Sequence, residues 1–105
     1  MYDRPAPMSE TTTLHIEHPI SDLETWLVAF ARFEDARARA GVRAHRVRRP
    51  VDDDHYIDVE LDFGSIEAAQ AFKRFLETTV WTSADASPAL AGTPTARVLT
   101  EVATR

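Results

Sequence analysis

The sequence predicts an α+β fold, in which a four-stranded antiparallel sheet carries two helices on one face. The first observation is segment 56–63, where apolar residues alternate without exception with other residues. A strand with one buried face produces this alternation. The second observation is that apolar residues recur at helical spacing in segments 21–41 and 65–80. Three further strand-like segments give the order β-α-β-β-α-β, and right-handed crossovers then place the first and third strands centrally.

The composition is that of one globular domain. The chain has 105 residues, 44% of them apolar, and a formal net charge of −5. We expect residues 1–10 to form a flexible tail and residues 11–105 a single domain. Because the chain has no cysteine, disulfides are excluded and a cytoplasmic location is expected. No apolar run reaches the roughly 18 residues of a membrane span, and the acidic charge argues against a nucleic-acid partner.

The first half of the chain is predicted to form a strand and a long helix. Residues 11–17 alternate, and Pro19 is expected to end this strand because proline cannot donate to a ladder. Ser21 is the predicted N-cap, within a Ser-Asp-Leu-Glu capping box. Gly41 is expected to end the helix in the left-handed conformation. The apolar stripe between them consists of Leu23, Trp26, Leu27, Phe30, Phe33, Ala36 and Ala40.

The middle of the chain is predicted to form a hairpin. Residues 42–49 are rich in arginine, which is typical of an edge strand. The Pro- and Asp-rich segment 50–55 is expected to form the turn that joins them to the strand at 56–63.

The last third of the chain supplies the second helix and the fourth strand. Ser65 is the predicted N-cap of that helix. A loop at 81–94 leads to a strand at 95–102, with Val98 and Val102 on one face. The helical stripe consists of Ile66, Ala69, Phe72, Phe75, Leu76 and Val80. The whole arrangement is a ferredoxin-like two-layer sandwich.

Strand alternation also predicts which side chains lie on the sheet face that the helices leave uncovered. For the two outer strands this prediction assumes that Val47 packs under the helices. A shift of one residue in their register would put a different set of side chains on the uncovered face. The predicted residues are Thr13, His15, Glu17, Arg46, Arg48, Tyr56, Asp58, Glu60, Asp62, Arg97, Leu99 and Glu101.

This charged face has two interpretations. In the first, it is a solvated surface whose carboxylates and guanidiniums pair across strands for a few tenths of a kcal/mol each. In the second, two subunits pack these faces together and enclose a polar cavity. Charges in such a cavity would be partly desolvated, and a small ligand would find oriented partners there.

Three further segments bear on this choice: HRVRR at 45–49, FGSIEAAQAF at 63–72 and PALAGTP at 88–94. Together with the element order, the long first helix and the Asp-rich hairpin, they resemble the dimeric α+β barrel superfamily, which includes antibiotic-biosynthesis-monooxygenase-like proteins. The resemblance covers residues 11–102. It implies a homodimer in which two sheets join into a barrel, with ligands bound between sheet and helices or inside the barrel.

Acid–base chemistry on a small molecule is one candidate activity. His15 is the candidate catalytic base and Asp58 its orienting carboxylate, because both are predicted on the uncovered face of neighbouring strands. The predicted ligand-binding residues are Glu17, Arg46, Arg48, Tyr56, Glu60 and Trp81. Trp26 is expected in the core, and Trp81 either at a cavity mouth or as a loop anchor over the core. His18 and His55 are expected to take no part.

The sequence predicts neither a metal nor an organic cofactor. His15, Glu17 and His45 would form a two-His-one-carboxylate set only if strand 42–49 had the opposite parity. The haem-degrading branch of the superfamily uses an Asn, a Trp and a His, and this chain contains no Asn. RNA-binding domains with this topology stack bases on two or three aromatic residues, whereas the uncovered face offers only Tyr56.

The preferred interpretation is a cytoplasmic homodimer that binds or converts a small polar or anionic molecule. If it is an enzyme, the resemblance implies a cofactor-independent monooxygenase or an isomerase-type reaction. The alternative is a non-catalytic dimeric module whose charged sheet face serves assembly.

Overall fold

The computed structural model describes residues 11–104, so the predicted tail at 1–10 lies outside the described residues. In the sheet the second strand of the chain is followed by the third, the first and the fourth, with antiparallel pairing throughout, which confirms the predicted topology and its central strands. None of the helices within this range has the length and hydrophobicity needed to cross a membrane. The strands are β1 (Thr12–Pro19), β2 (Ala44–Arg48), β3 (Tyr56–Phe63) and β4 (Thr95–Thr100); the helices are α1 (Leu23–Arg32), α2 (Glu34–Ala40) and α3 (Ile66–Phe75), the last extended by a π-helical segment (Leu76–Val80).

The core lies between the central strands and the helices. Alternate residues of β1 and β3 are buried, and Leu14 stands opposite Leu61 in the register. Phe63 is fully buried and packs against Phe72 of α3, with ring centroids 5.9 Å apart. The predicted alternation of residues 56–63 is confirmed at every position.

Strand β1 is longer than predicted, because it continues through His18 and Pro19. Beyond Glu17 the strand has no partner residue in β4 and pairs only with β3. Because this end of β1 has no β4 partner, the missing backbone N–H of Pro19 is tolerated, as it is on an edge strand. The prediction that Pro19 ends the strand at Glu17 is therefore wrong, and His18 becomes a buried strand residue.

The first helix begins one residue later than predicted and is broken in the middle. Asp22, not Ser21, is the N-cap, and its carboxylate accepts from the Thr25 backbone N–H at 2.9 Å. The break falls at Phe33, whose N–H donates to the Phe30 carbonyl at 3.1 Å. Gly41 ends α2 with φ +95°, as predicted.

The predicted apolar stripes need three corrections. Leu27 is 40% exposed and Ile66 47% exposed, whereas Ala29, which was not in the stripe, is buried. Val102 lies beyond β4 and is exposed. Each error falls near the edge of a stripe or the end of an element, where small shifts in helix phase or strand length change burial.

The two outer strands have the predicted parity. Val47 stands opposite Val59 and packs on the core, so Arg46 and Arg48 lie on the uncovered face. In β4, Arg97 stands opposite His15 on that same face. Edge strand β2 is shorter than predicted but lies at the sheet edge as expected.

Candidate functional site

Two features of the described residues offer functional chemistry, and they lie on opposite sides of the sheet. The first is the uncovered face, here called the charged face. It carries four carboxylates, three guanidiniums and one imidazole. These belong to Glu17, Asp58, Glu60, Asp62, Arg46, Arg48, Arg97 and His15.

His15 lies at the centre of the charged face. Its Nε2 is 2.9 Å from Glu17 and 3.6 Å from Asp58, and its Nδ1 is 3.2 Å from Glu60. Burial lowers the pKa of the imidazole, but the hydrogen bonds to Glu17 and Glu60 and the charge of Asp58 raise it more. The pKa of His15 therefore lies above its ordinary value, and the ring favours the imidazolium form.

The arginines of β2 pair with the carboxylates of β3. Arg46 donates to both Asp62 oxygens, at 2.8 and 3.1 Å, and to Glu60 at 3.0 Å. Arg48 lies 3.3 Å from Glu60 and 3.8 Å from Asp58. The hydrogen bonds from Arg46 are the main reason that the pKa values of Glu60 and Asp62 are lowered.

Tyr56 extends this network to the end of β1. Its hydroxyl donates to Glu17 at 2.7 Å. This hydrogen bond is the largest cause of the lowered pKa of Glu17, and it raises the pKa of Tyr56 because it stabilises the protonated phenol. Seven of the eight predicted catalytic and ligand-binding residues are thus brought together on the charged face: His15, Glu17, Arg46, Arg48, Tyr56, Asp58 and Glu60.

Three of these side chains also have the spacing of a metal-ligand set. His15, Glu17 and Asp58 each place one nitrogen or oxygen within 4.8 Å of the others. In the structure their contacts are those of an ion-pair cluster around the imidazole. His45 cannot complete a two-His-one-carboxylate set, because β2 turns it to the helix side, where its ring lies 5.4 Å from that of Phe30.

The second feature is a cavity of about 90 Å³ between the sheet and the helices. Aliphatic side chains and aromatic rings together form its apolar wall, and Trp26 stacks on Phe30 at 4.8 Å between centroids. Trp81 lies here rather than on the charged face, so the structure separates it from the other predicted site residues. The lining rings are Trp26, Phe30, Phe33, Phe72 and Trp81.

His18 and Arg37 are the two ionisable side chains in the cavity wall. His18 is 4% exposed, and its Nδ1 donates to the Pro19 carbonyl at 2.9 Å. Burial lowers the pKa of the ring, so it is neutral at pH 7, with the proton on Nδ1 and a lone pair on Nε2. Arg37 is 8% exposed and donates from Nη1 to the Phe30 carbonyl at 2.7 Å.

Sequence reasoning missed both of these residues, although a signal for each is present. Continuing the alternation of β1 past Glu17 would have placed His18 on the buried face with Ile16. Arg37 follows Phe33 at i+4 on the inner face of the helix, but a charged residue is rarely expected to be buried there.

No protein-family profile and no curated protein matches the chain. Solved structures do match. SnoaB, a cofactor-independent oxygenase from Streptomyces nogalater, is 22% identical with a TM-score of 0.66; the match covers 90% of this chain and 96% of SnoaB. A proposed antibiotic biosynthesis monooxygenase from Bordetella bronchiseptica is 10% identical with a TM-score of 0.70, over 90% of this chain and 99% of that one.

A dimeric ferredoxin-like protein from an uncultured marine organism is 14% identical with a TM-score of 0.60, over 91% of this chain and 93% of that one. Identities this low establish the fold and leave the activity open. The chain therefore shares the ferredoxin-like α+β fold of the antibiotic-biosynthesis-monooxygenase-like proteins, as its sequence predicted.

Proposed function

We propose that the protein is a homodimeric enzyme that oxygenates a small, largely apolar molecule without a cofactor, in the cavity between sheet and helices. The observation that carries this proposal is the aromatic cavity with a buried neutral histidine in its wall. The likeness to SnoaB supports the reaction class. The apolar substrate differs from the polar or anionic molecule expected from the charged face, because the apolar cavity lies on the other side of the sheet.

The size of the cavity limits the substrate. One water needs about 10–15 Å³ measured in the same way, so about 90 Å³ accommodates roughly one six-membered ring. Aromatic walls favour a flat ring, since offset and edge-on aromatic pairs add to the gain from burial.

His18 supplies the base that such a reaction needs. With its proton held on Nδ1 by the Pro19 carbonyl, the ring can accept a substrate proton at Nε2. A methylene between two carbonyls would then form an electron-rich enolate. The overall change is R₂CH₂ + O₂ → R₂C=O + H₂O, in which the substrate supplies all four electrons and no external reductant is needed.

Binding can be measured directly, because both tryptophans of the chain line the cavity. We expect phenol and pentane-2,4-dione to quench tryptophan fluorescence saturably. Ala29→Phe, which fills the cavity from α1, should abolish this quenching. Val28→Phe is the matched control, since Val28 is 56% exposed on the same helix. Equal quenching in both variants would contradict binding in the cavity.

Catalysis is tested by oxygen uptake with pentane-2,4-dione and related acyclic 1,3-diketones, which are largely un-ionised at pH 7 and therefore need a base to form the enolate. His18→Asn keeps a donor for the Pro19 carbonyl but removes the base, so we expect uptake to fall by about 10²-fold or more while binding persists. His15→Gln should retain uptake. Loss in His15→Gln but not in His18→Asn would instead support His15 and Asp58 as the catalytic pair.

The homodimer is proposed to form through the charged face. Its four carboxylates are nearly balanced by three guanidiniums and His15, so two copies can meet without strong net repulsion. The dimeric ferredoxin-like neighbour supports this association. Sedimentation equilibrium at micromolar concentration should give twice 11.8 kDa. A mass of 11.8 kDa would contradict the dimer.

Leu99 offers a test of the interface, because it is 41% exposed and lies on the charged face opposite Thr13. Leu99→Arg should weaken the dimer, whereas Val28→Arg on α1 should not. A dimer that binds none of the probes would favour the alternative of a non-catalytic assembly module.

A further inference from the structure

Arg37 is a buried cation in the wall of an apolar cavity. A buried charge is normally paired with an opposite charge, because an unpaired one is costly to remove from water. Its guanidinium carbon lies 3.7 Å from the centroid of the Phe30 ring, and Nη1 donates to the Phe30 carbonyl. Within residues 11–104, no carboxylate forms an ion pair with Arg37, and all of the ion pairs involve other cationic side chains. Glu34 acts on Arg37 only as a nearby charge.

These contacts satisfy only part of the guanidinium. An arginine has five N–H donors, and one of them bonds to the Phe30 carbonyl. The ring of Phe30 offers a cation–π contact, and together the two contacts fasten α2 to the end of α1. Fastening the helices accounts for one donor and one ring face. Among the described residues the other donors have no protein acceptor, and because no Arg37 nitrogen is both buried and unpartnered, they are open to solvent or to a ligand.

Two arginines of the charged face, Arg46 and Arg48, differ in this respect. Arg46 is held by Glu60 and Asp62, and Arg48 lies beside Asp58 and Glu60. An anionic ligand there would have to displace carboxylates that are already in place. Arg37 has no such competitor among the described residues.

We infer that the cavity selects a ligand with a carboxylate on its ring, bound by Arg37, with the ring held among the aromatic side chains. A planar carboxylate matches the guanidinium fork and accepts two parallel hydrogen bonds. This inference rests on the proposed function for the location of the ligand and adds the substrate class, an aromatic or other cyclic carboxylate. It places the ligand on the opposite side of the sheet from Arg46 and Arg48, which were predicted to bind it.

The test compares benzoate with benzyl alcohol, which has the same ring and no charge. Quenching of tryptophan fluorescence in the full chain at pH 7.5 gives both dissociation constants. We expect benzoate to bind at least about tenfold more tightly, as a charge-assisted hydrogen bond predicts. Arg37→Met should abolish this preference and leave benzyl alcohol binding within about twofold. Arg39→Met, an exposed arginine of the same helix, is the matched control and should retain the preference.

Each outcome has a defined meaning. The inference is overturned if the unaltered protein binds the two probes equally well, or if Arg37→Met still prefers benzoate. Either result leaves the proposed function standing. Failure of both probes to bind contradicts the cavity site itself, and with it both proposals. If Arg37→Met does not fold, Arg37→Lys replaces it; the charge is kept but the planar fork is lost, so the preference for benzoate should fall by several-fold.

Discussion

His15 and His18 lie three residues apart on β1 and face opposite layers of the molecule. His15 sits among Glu17, Asp58 and Glu60, which raise its pKa. His18 is buried in the aromatic cavity, and burial lowers its pKa. One strand therefore presents a histidine with a raised pKa to the charged face and a histidine with a lowered pKa to the cavity, because alternate side chains point to opposite faces of a sheet.

The two histidines should affect the pH dependence of stability in opposite directions. The raised folded-state pKa of His15 stabilises the protein below its unfolded pKa, and this contribution is lost as pH rises through the folded value. The lowered pKa of His18 stabilises the protein above its unfolded pKa, and this contribution is lost as pH falls through the folded value.

Urea unfolding between pH 5 and 8 tests this relationship. In His18→Asn the remaining His15 effect should make the free energy of unfolding decrease with pH across the histidine range. In His15→Gln it should increase. His55→Gln, altered in the exposed turn, should follow the unaltered protein. Parallel pH profiles for the two principal variants would contradict the assigned environments.

Arg37 should contribute little to stability despite its burial. Replacing a buried charge by an apolar side chain of similar size is often neutral or stabilising, because the desolvation cost is removed. The loss of the hydrogen bond to Phe30 opposes this gain. We expect Arg37→Met to change the free energy of unfolding by about 1 kcal/mol or less. Destabilisation of about 3 kcal/mol or more would show that Arg37 acts mainly as a fastener between α1 and α2.

The helix cap offers a direct comparison between the sequence-based assignment and the structure. Asp22 accepts from both the backbone N–H and the hydroxyl of Thr25, at 2.9 Å each. Asp22→Ala should therefore destabilise the protein by about 1 kcal/mol. Ser21→Ala should lie within about 0.5 kcal/mol of the unaltered protein. The reverse order in thermal or urea unfolding would restore Ser21 as the cap.

The cluster of His15, Glu17 and Asp58 should hold a proton rather than a metal ion. Three guanidiniums and the His15 imidazolium already balance the four carboxylates of the charged face, so a divalent ion would have to displace the Nε2 proton. We expect purified protein to contain far less than one equivalent of zinc, iron or copper. Micromolar zinc should leave the unfolding temperature unchanged. Near-stoichiometric metal that disappears in Asp58→Asn would contradict this expectation.

Sequence patterns alone predicted the topology and the composition of the charged face. The alternation of residues 56–63, the stripe in α3 and the turn residues are local signals, and each survives in the structure because its period matches one element. Opposite strands then bring His15, Glu17, Asp58 and Glu60 together as predicted, since register follows from which face is buried.

Only the tertiary structure decided where the apolar cavity lies. The cavity is a space left between β1, β3, the helices and the loop after α3, and no local pattern encodes a space between distant segments. His18 lies in its wall because β1 continues past Glu17, where it pairs with β3 and the Pro19 carbonyl accepts from the Ala91 N–H at 3.2 Å. Arg37 lies there because α2 continues the inner helix face after the break at Phe33. Strand ends and helix breaks depend on long-range contacts, which local sequence patterns do not encode. The sequence therefore indicated the charged face, whereas only packing showed that the neutral histidine and the buried cation lie on the other side of the sheet.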